Sequence, residues 1–118
     1  MRAKDARGKL GEDLAAAHLI GQGLIVLDRN WRCEMGELDI VARDGDALVI
    51  CEVKTRSSRR FGDPLEAVTA PKAARLRRLA GRWVVEHDVR PREIRIDLVG
   101  VVLTSGRPEI EHVRGALT

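Results

Sequence analysis

The chain has 118 residues, 44% of them apolar and 33% charged, the balance of one globular domain with a real core rather than two domains or a disordered tail. Lys and Arg number 21 against 18 Asp and Glu and the sequence pI is about 9.3, which permits a nucleic-acid partner without demanding one. Cys33 and Cys51 form no metal-ligand spacing, the N-terminus carries no continuous apolar leader, and no run approaches a membrane span; the expectation is reduced core thiols in a cytoplasmic protein, with no membrane partner.

The first predicted element is a helix from about Lys4 to Gly21, with Leu10, Leu14, Ala17, Leu19 and Ile20 at helical spacing and Gly21 and Gly23 ending it. Glu12 falls on the side of Ala15, Ala16 and Leu19. It is a candidate acid for a neighbouring site, although spacing alone favours an ordinary surface glutamate. Leu24 to Asp28 reads as the first strand, and the polar run Arg29 to Cys33 follows it before the Met35-Gly36 break. Trp31 suits a core position better than a contact surface.

Gly36 to Thr55 holds two apolar runs joined by Asp44-Gly45, a strong hairpin signal. With Asp44-Gly45 as the two-residue turn, Glu37 faces Glu52, Asp39 faces Ile50, and Asp39 lies diagonal to Glu52 at roughly 7–8 Å. Alternation places Leu48, Ile50, Glu52 and Lys54 on one face. Three carboxylates and one ammonium then share a strand end. One lysine cannot neutralise three acids, so the spacing leaves two readings open: a divalent-metal site, which suits Mg²⁺ with its oxygen ligands, or a solvated ion-pair network.

Thr55 to Pro64 is a loop rich in Ser, Gly and Arg, and it hangs Arg56, Arg59 and Arg60 beside the acids. Asp63-Pro64 looks like a helix start and Thr69-Ala70-Pro71 like a restart, running to Glu86 or His87. Leu76, Leu79, Ala80 and Trp83 form its apolar stripe, with Lys72, Arg75, Arg78 and Arg82 on an adjoining flank that could meet a polyanion or simply be solvated. Ile94 to Leu103 reads as a strand buried on both faces and, reached through a helix, parallel to its neighbour. Glu109 to Val113 is a short edge strand, and 114–118 an unstructured tail beyond a core of about 8–103. Trp31, Phe61 and Trp83 are the only aromatic rings of Phe, Tyr or Trp, too few for a base-stacking platform. His18, His87 and His112 fall on different elements, which argues against zinc.

The combination of Gly36-Glu37-Leu38-Asp39, Glu52-Val53-Lys54-Thr55-Arg56 and Phe61-Gly62, with Asn30-Trp31-Arg32 before and Arg95-Ile96-Asp97 after, resembles the YraN-like (UPF0102) family over roughly Gly8 to Val102. That family is similar to the restriction-endonuclease-like nucleases and to archaeal Holliday-junction resolvases. The resemblance implies an α/β fold with an αβββαβ core, a mixed sheet flanked by helices. It also implies a single nuclease-like domain in which Asp39 and Glu52 hold Mg²⁺ or Mn²⁺ and Lys54 positions the attacking water. Glu12 would match the acid of the resolvases' first helix, and Glu37 would be an alternative or supporting ligand. Leu38 stands where the superfamily's motif has proline, a position that does no chemistry.

The leading expectation is therefore a metal-dependent DNA endonuclease acting on branched or structured DNA, with Arg56, Arg59, Arg60, Lys72, Arg75, Arg78 and Arg82 as the nucleic-acid surface. A junction resolvase needs two active sites, which calls for a homodimer. The alternatives are a non-catalytic nucleic-acid-binding module on the same fold and a structural domain in which the acids are only an ion network.

Overall fold

A computed structural model describes residues 6–58, 69–104 and 106–116. Helix α1 (Ala6–Gly21) precedes strands β1 (Ile25–Cys33), β2 (Gly36–Asp44) and β3 (Ala47–Arg56); helix α2 (Ala70–His87) then leads to β4 (Glu93–Val102) and β5 (Glu109–Val113). The five strands form one mixed sheet in the order β1-β2-β3-β4-β5, antiparallel except for the β3/β4 pair. This is an α/β fold compatible with the expected restriction-endonuclease-like core. Among the described residues no helix is long and apolar enough to cross a membrane.

The helices cover opposite faces. Ala15, Ala16 and Leu19 of α1 pack with Ile40, Ala42, Val49, Cys51, Val99 and Val101. Leu76, Leu79, Ala80 and Trp83 of α2 pack with Leu38, Val41, Leu48, Ile50 and Ile96. Val49 and Cys51 face one helix and Leu48 and Ile50 the other, which is why β3 is apolar at every position until Glu52. Neither cysteine is in a disulfide.

Four expectations change. The apolar stripe assigned to α1 is rotated: Leu10 is 49% and Ile20 59% exposed, while Gly11, Glu12, Ala15, Ala16 and Leu19 are buried. Gly11 lies so close to Thr55 of β3 that an added Cβ would collide with its side chain, so Gly11, Ala15 and Ala16 let the helix sit close to the sheet, with Leu19 as its large buried side chain. The first strand does not stop at Asp28 but runs to Cys33, with a bulge between Val26 and Asp28 and a left-handed Asn30 (φ 53°). The hairpin turns one residue later, on Gly45-Asp46, with Gly45 at φ 60° and Asp44 paired to Ala47. The tail is anchored as far as Ala116, whose N–H donates to the Ile96 carbonyl at 2.8 Å.

The start of α2 at Thr69 is as read. Its hydroxyl accepts from the Lys72 N–H at 3.3 Å, a proline lies in the first turn, and Asp88 ends the helix in the left-handed conformation. The earlier helix start at Asp63-Pro64, the Phe61-Gly62 motif, and Arg59 and Arg60 lie outside the described residues.

Candidate active site

The β2/β3 ladder stops at Ile40 opposite Cys51, and the next residue of β2 is Asp39. Its carboxylate accepts the Val53 N–H at 2.9 Å, a donor that β2's backbone would take if the ladder continued. Alternation also breaks here, since Leu38 packs on the α2 side and Ile40 on the α1 side. The β1 position level with Asp39 is Asn30, between the pairs Arg29/Ile40 and Trp31/Leu38. Asp39 thus sits 7% exposed where two strands part and two irregularities meet. Beyond this point β3 runs on beside β4 to Arg56.

The shift of the turn by one residue at each end keeps a two-residue loop, so the side chains from Ile40 to Cys51 keep their faces, while Leu38, beyond the break in alternation, changes sides. The partners change: the register carried past Ile40 sets Asp39 level with Glu52, and the predicted opposition of Glu37 and Glu52 is not formed. Glu37 instead pairs with Arg32 of β1, Nε to Oε2, at 3.2 Å.

Glu52 continues the Leu48–Ile50 face toward α2 and is mostly buried. Its Oε1 takes the Lys72 ammonium at 3.1 Å. Burial, and after it the Asp39 charge, push the Glu52 carboxyl above the usual carboxylate range, against the pull of Lys72 and Lys54. Lys54 is pulled below the usual lysine value by burial and then by the neighbouring Lys72 charge, with Glu52 opposing. Two carboxylates and two ammonium groups therefore act on one another at the mouth of the β2/β3 gap.

Glu12 is not a surface residue. It is 1% exposed, held by Arg29 Nε at 3.0 Å and by the Asn30 side-chain amide at 2.8 Å. Since Asn30 is level with Asp39, α1 delivers a buried acid to the β1 side of the same opening. Arg29 and Asn30 are the participants that sequence reasoning missed. The signal was there in the Asn30-Trp31-Arg32 motif, but a left-handed asparagine inside a strand has no periodic signature.

The basic residues divide. Arg56 is exposed at the end of β3, and Arg75 and Arg78 are exposed on α2. Lys72 has turned inward to Glu52, and Arg82 grips Glu34 through two hydrogen bonds of 2.8 and 3.2 Å and Glu86 through a third. Among the described residues no group of three or more His, Cys, Asp or Glu is placed to hold a metal ion. The donor set on offer is the Asp39/Glu52 pair. Hard carboxylate oxygens suit Mg²⁺ or Mn²⁺, which take few protein ligands and keep several waters, rather than an ion held in an all-protein cage.

Asp97 of the late motif points to the other face and serves structure. Arg95 reaches it through Nε at 2.9 Å and a terminal nitrogen at 3.0 Å, His112 at 2.8 Å and the Gly115 N–H at 3.0 Å. His18 of α1 meets His112 at 3.2 Å, so two histidines that the sequence left on separate elements are joined.

A family model described as "Uncharacterised protein family UPF0102" matches residues 11–101, which takes in every residue of this opening from Glu12 to Lys72. A UPF0102 protein of Nocardioides sp. is 63% identical over 113 residues, 95% of this chain and 91% of the relative. One of Beutenbergia cavernae is 60% identical over 116 residues, 98% of each chain. One of Frankia alni is 57% identical over 120 residues, again 98% of each.

Proposed function

Since the chain belongs to the UPF0102 family, we propose that its Asp39–Glu52–Lys54 site makes it a divalent-metal-dependent endonuclease hydrolysing phosphodiester bonds, with branched or structured DNA as substrate. The observation that carries this reading is the meeting of Asp39 and Glu52 where β2 leaves β3, with Lys54 and Lys72 close enough to shift or share their charge. A structural ion network has no need to set a buried and a mostly buried acid side by side where two strands part.

Asp39 and Glu52 would hold the ion. A bound Mg²⁺ or Mn²⁺ supplies charge neutralisation at the phosphodiester and a more acidic water. Asp39 is fixed by the Val53 N–H, so its orientation is set before any ligand arrives. Lys54, on the same face as Glu52, would orient the attacking water and offset charge building on the phosphorus oxygens. Glu12, locked by Arg29 and Asn30, would fix the β1 side of the opening. Arg56, Arg75 and Arg78 would meet the DNA backbone, and a symmetric dimer would supply the second site that a four-way junction requires.

Labelled duplex, flap and four-way-junction DNAs incubated with Mg²⁺ or Mn²⁺ test this directly. Cleavage is expected, falling roughly 10²-fold or more in Glu52→Ala and Lys54→Ala. No cleavage, or cleavage undiminished in both variants, overturns the enzyme reading. The engagement of Glu52 by Lys72 favours one second reading, a nucleic-acid-binding module without turnover. Its mark is salt-dependent binding of the same DNAs that ignores metal.

A further inference from the structure

Lys72 lies away from its place in the sequence pattern. At helical spacing it lines up with Arg75 and Arg78, both exposed, yet its own side chain is only 19% exposed and its ammonium lies on Glu52 Oε1. The start of α2 makes this geometry repeatable: Thr69 caps the helix by accepting the Lys72 N–H, which fixes the lysine's backbone at the edge of the opening. The long stem is then the flexible part. Rotation about it would carry the ammonium off Glu52 toward the exposed Arg75–Arg78 row.

We propose that Lys72 is a tethered stand-in for the divalent ion: it neutralises Glu52 until the metal binds, is displaced by the metal, and then joins Arg75 and Arg78 on the nucleic-acid phosphates. The proposal rests on the metal-site reading above and adds a competition to it. Glu52 offers its Oε1 to the ammonium and to the ion in turn, because a divalent charge placed between Asp39 and Glu52 repels two ammonium groups at contact range. Lys54 is held in a strand paired along its length with β4. Lys72, at the first turn of a helix, is the one with somewhere to go. The arrangement makes metal occupancy and DNA contact interdependent, since phosphate draws Lys72 away from Glu52 and so favours the ion.

The test is Mn²⁺ binding by titration calorimetry to the intact protein without DNA, in wild type, Lys72→Gln, Lys72→Arg and Glu52→Gln, with far-UV circular dichroism verifying each fold. Loss of the competing charge should tighten Mn²⁺ binding roughly tenfold in Lys72→Gln. Lys72→Arg, which keeps the charge and grips a carboxylate with two donors, should bind no tighter than wild type, and remains informative if the glutamine variant does not fold. Mn²⁺ binding that Glu52→Gln abolishes but Lys72→Gln leaves unchanged or weakens would overturn the stand-in role and leave the metal site intact. Tighter binding in Lys72→Arg than in wild type would overturn it as well. No Mn²⁺ binding by any of the four proteins would overturn both.

Discussion

Asp97 is fully buried and remains charged because four donor groups converge on it, from Arg95, His112 and the Gly115 backbone. Burial is the largest single influence and pushes its carboxyl up; the Arg95, Gly115 and His112 hydrogen bonds together outweigh it and hold the carboxyl below its usual value. Removing it leaves Arg95 and His112 without the anion that gathers them. Asp97→Ala should cost roughly 3–5 kcal/mol, read as a lower urea midpoint at unchanged slope. The neighbouring His18 is pulled below the ordinary histidine value by burial and then by His112 and Arg114. The signs agree. A histidine depressed in the folded state gives stability that is full above its unfolded value of about 6.5 and is lost as pH falls below it. A depressed carboxylate gives stability lost further down, below about 3.9. Melting followed from pH 7.5 to 5 should therefore show a falling Tm, and His18→Gln should flatten that fall; an equal slope in both proteins would separate His18 from the acid response.

At the scale of elements, the seating of α1 on β3 depends on Gly11. A Cβ there strikes Oγ1, Cγ2 and Cβ of Thr55, so Gly11→Ala should destabilise by about 1–3 kcal/mol, and Thr55→Ala in the same chain should recover most of it. Denaturant midpoints of the two singles and the double decide this. The same contact explains what the sequence could and could not reveal. Strands β2, β3 and β4 were legible because alternating or continuous apolar runs meet a Gly-containing turn, and α2 because Leu76, Leu79, Ala80 and Trp83 form a stripe bounded by a Thr cap. The buried face of α1 was not, because Gly11, Glu12, Ala15 and Ala16 carry little hydrophobic signal and the larger Leu10 and Ile20 face outward. The second half of β1 was hidden in a polar run whose side chains take partners far along the chain: Asp28 the Trp83 indole, Arg29 the Glu12 carboxylate. In the candidate site, parity alone kept Glu52 and Lys54 on one face even though the turn was misplaced. The inward reach of Lys72 arises from a tertiary contact that no spacing encodes; spacing did set Glu12 on the side of Ala15, Ala16 and Leu19, but not its Arg29 and Asn30 partners.

The whole molecule is a sheet with one core on each face and an opening where its antiparallel half parts from its parallel pair. A ligand at that opening bridges both halves, so Mn²⁺ should raise global stability by about 2.7 kcal/mol at a hundred times its dissociation constant. A Tm that climbs with Mn²⁺ in wild type and stays flat in Glu52→Ala would be the expected result; a flat Tm in both would count against the metal reading. The His18–His112 contact has a further consequence, for the order in which the chain folds. It joins residues 94 apart in sequence, and contacts of that span cost the most chain entropy to close and form slowly. The first helix can form early and seat on β2, β3 and β4, but its contact with the last strand closes only when that strand arrives. If that fastening follows the rate-limiting barrier, His112→Gln should quicken unfolding in stopped-flow denaturant jumps while leaving refolding nearly untouched. Residence time in the native state, rather than the speed of reaching it, would then be what this histidine pair controls.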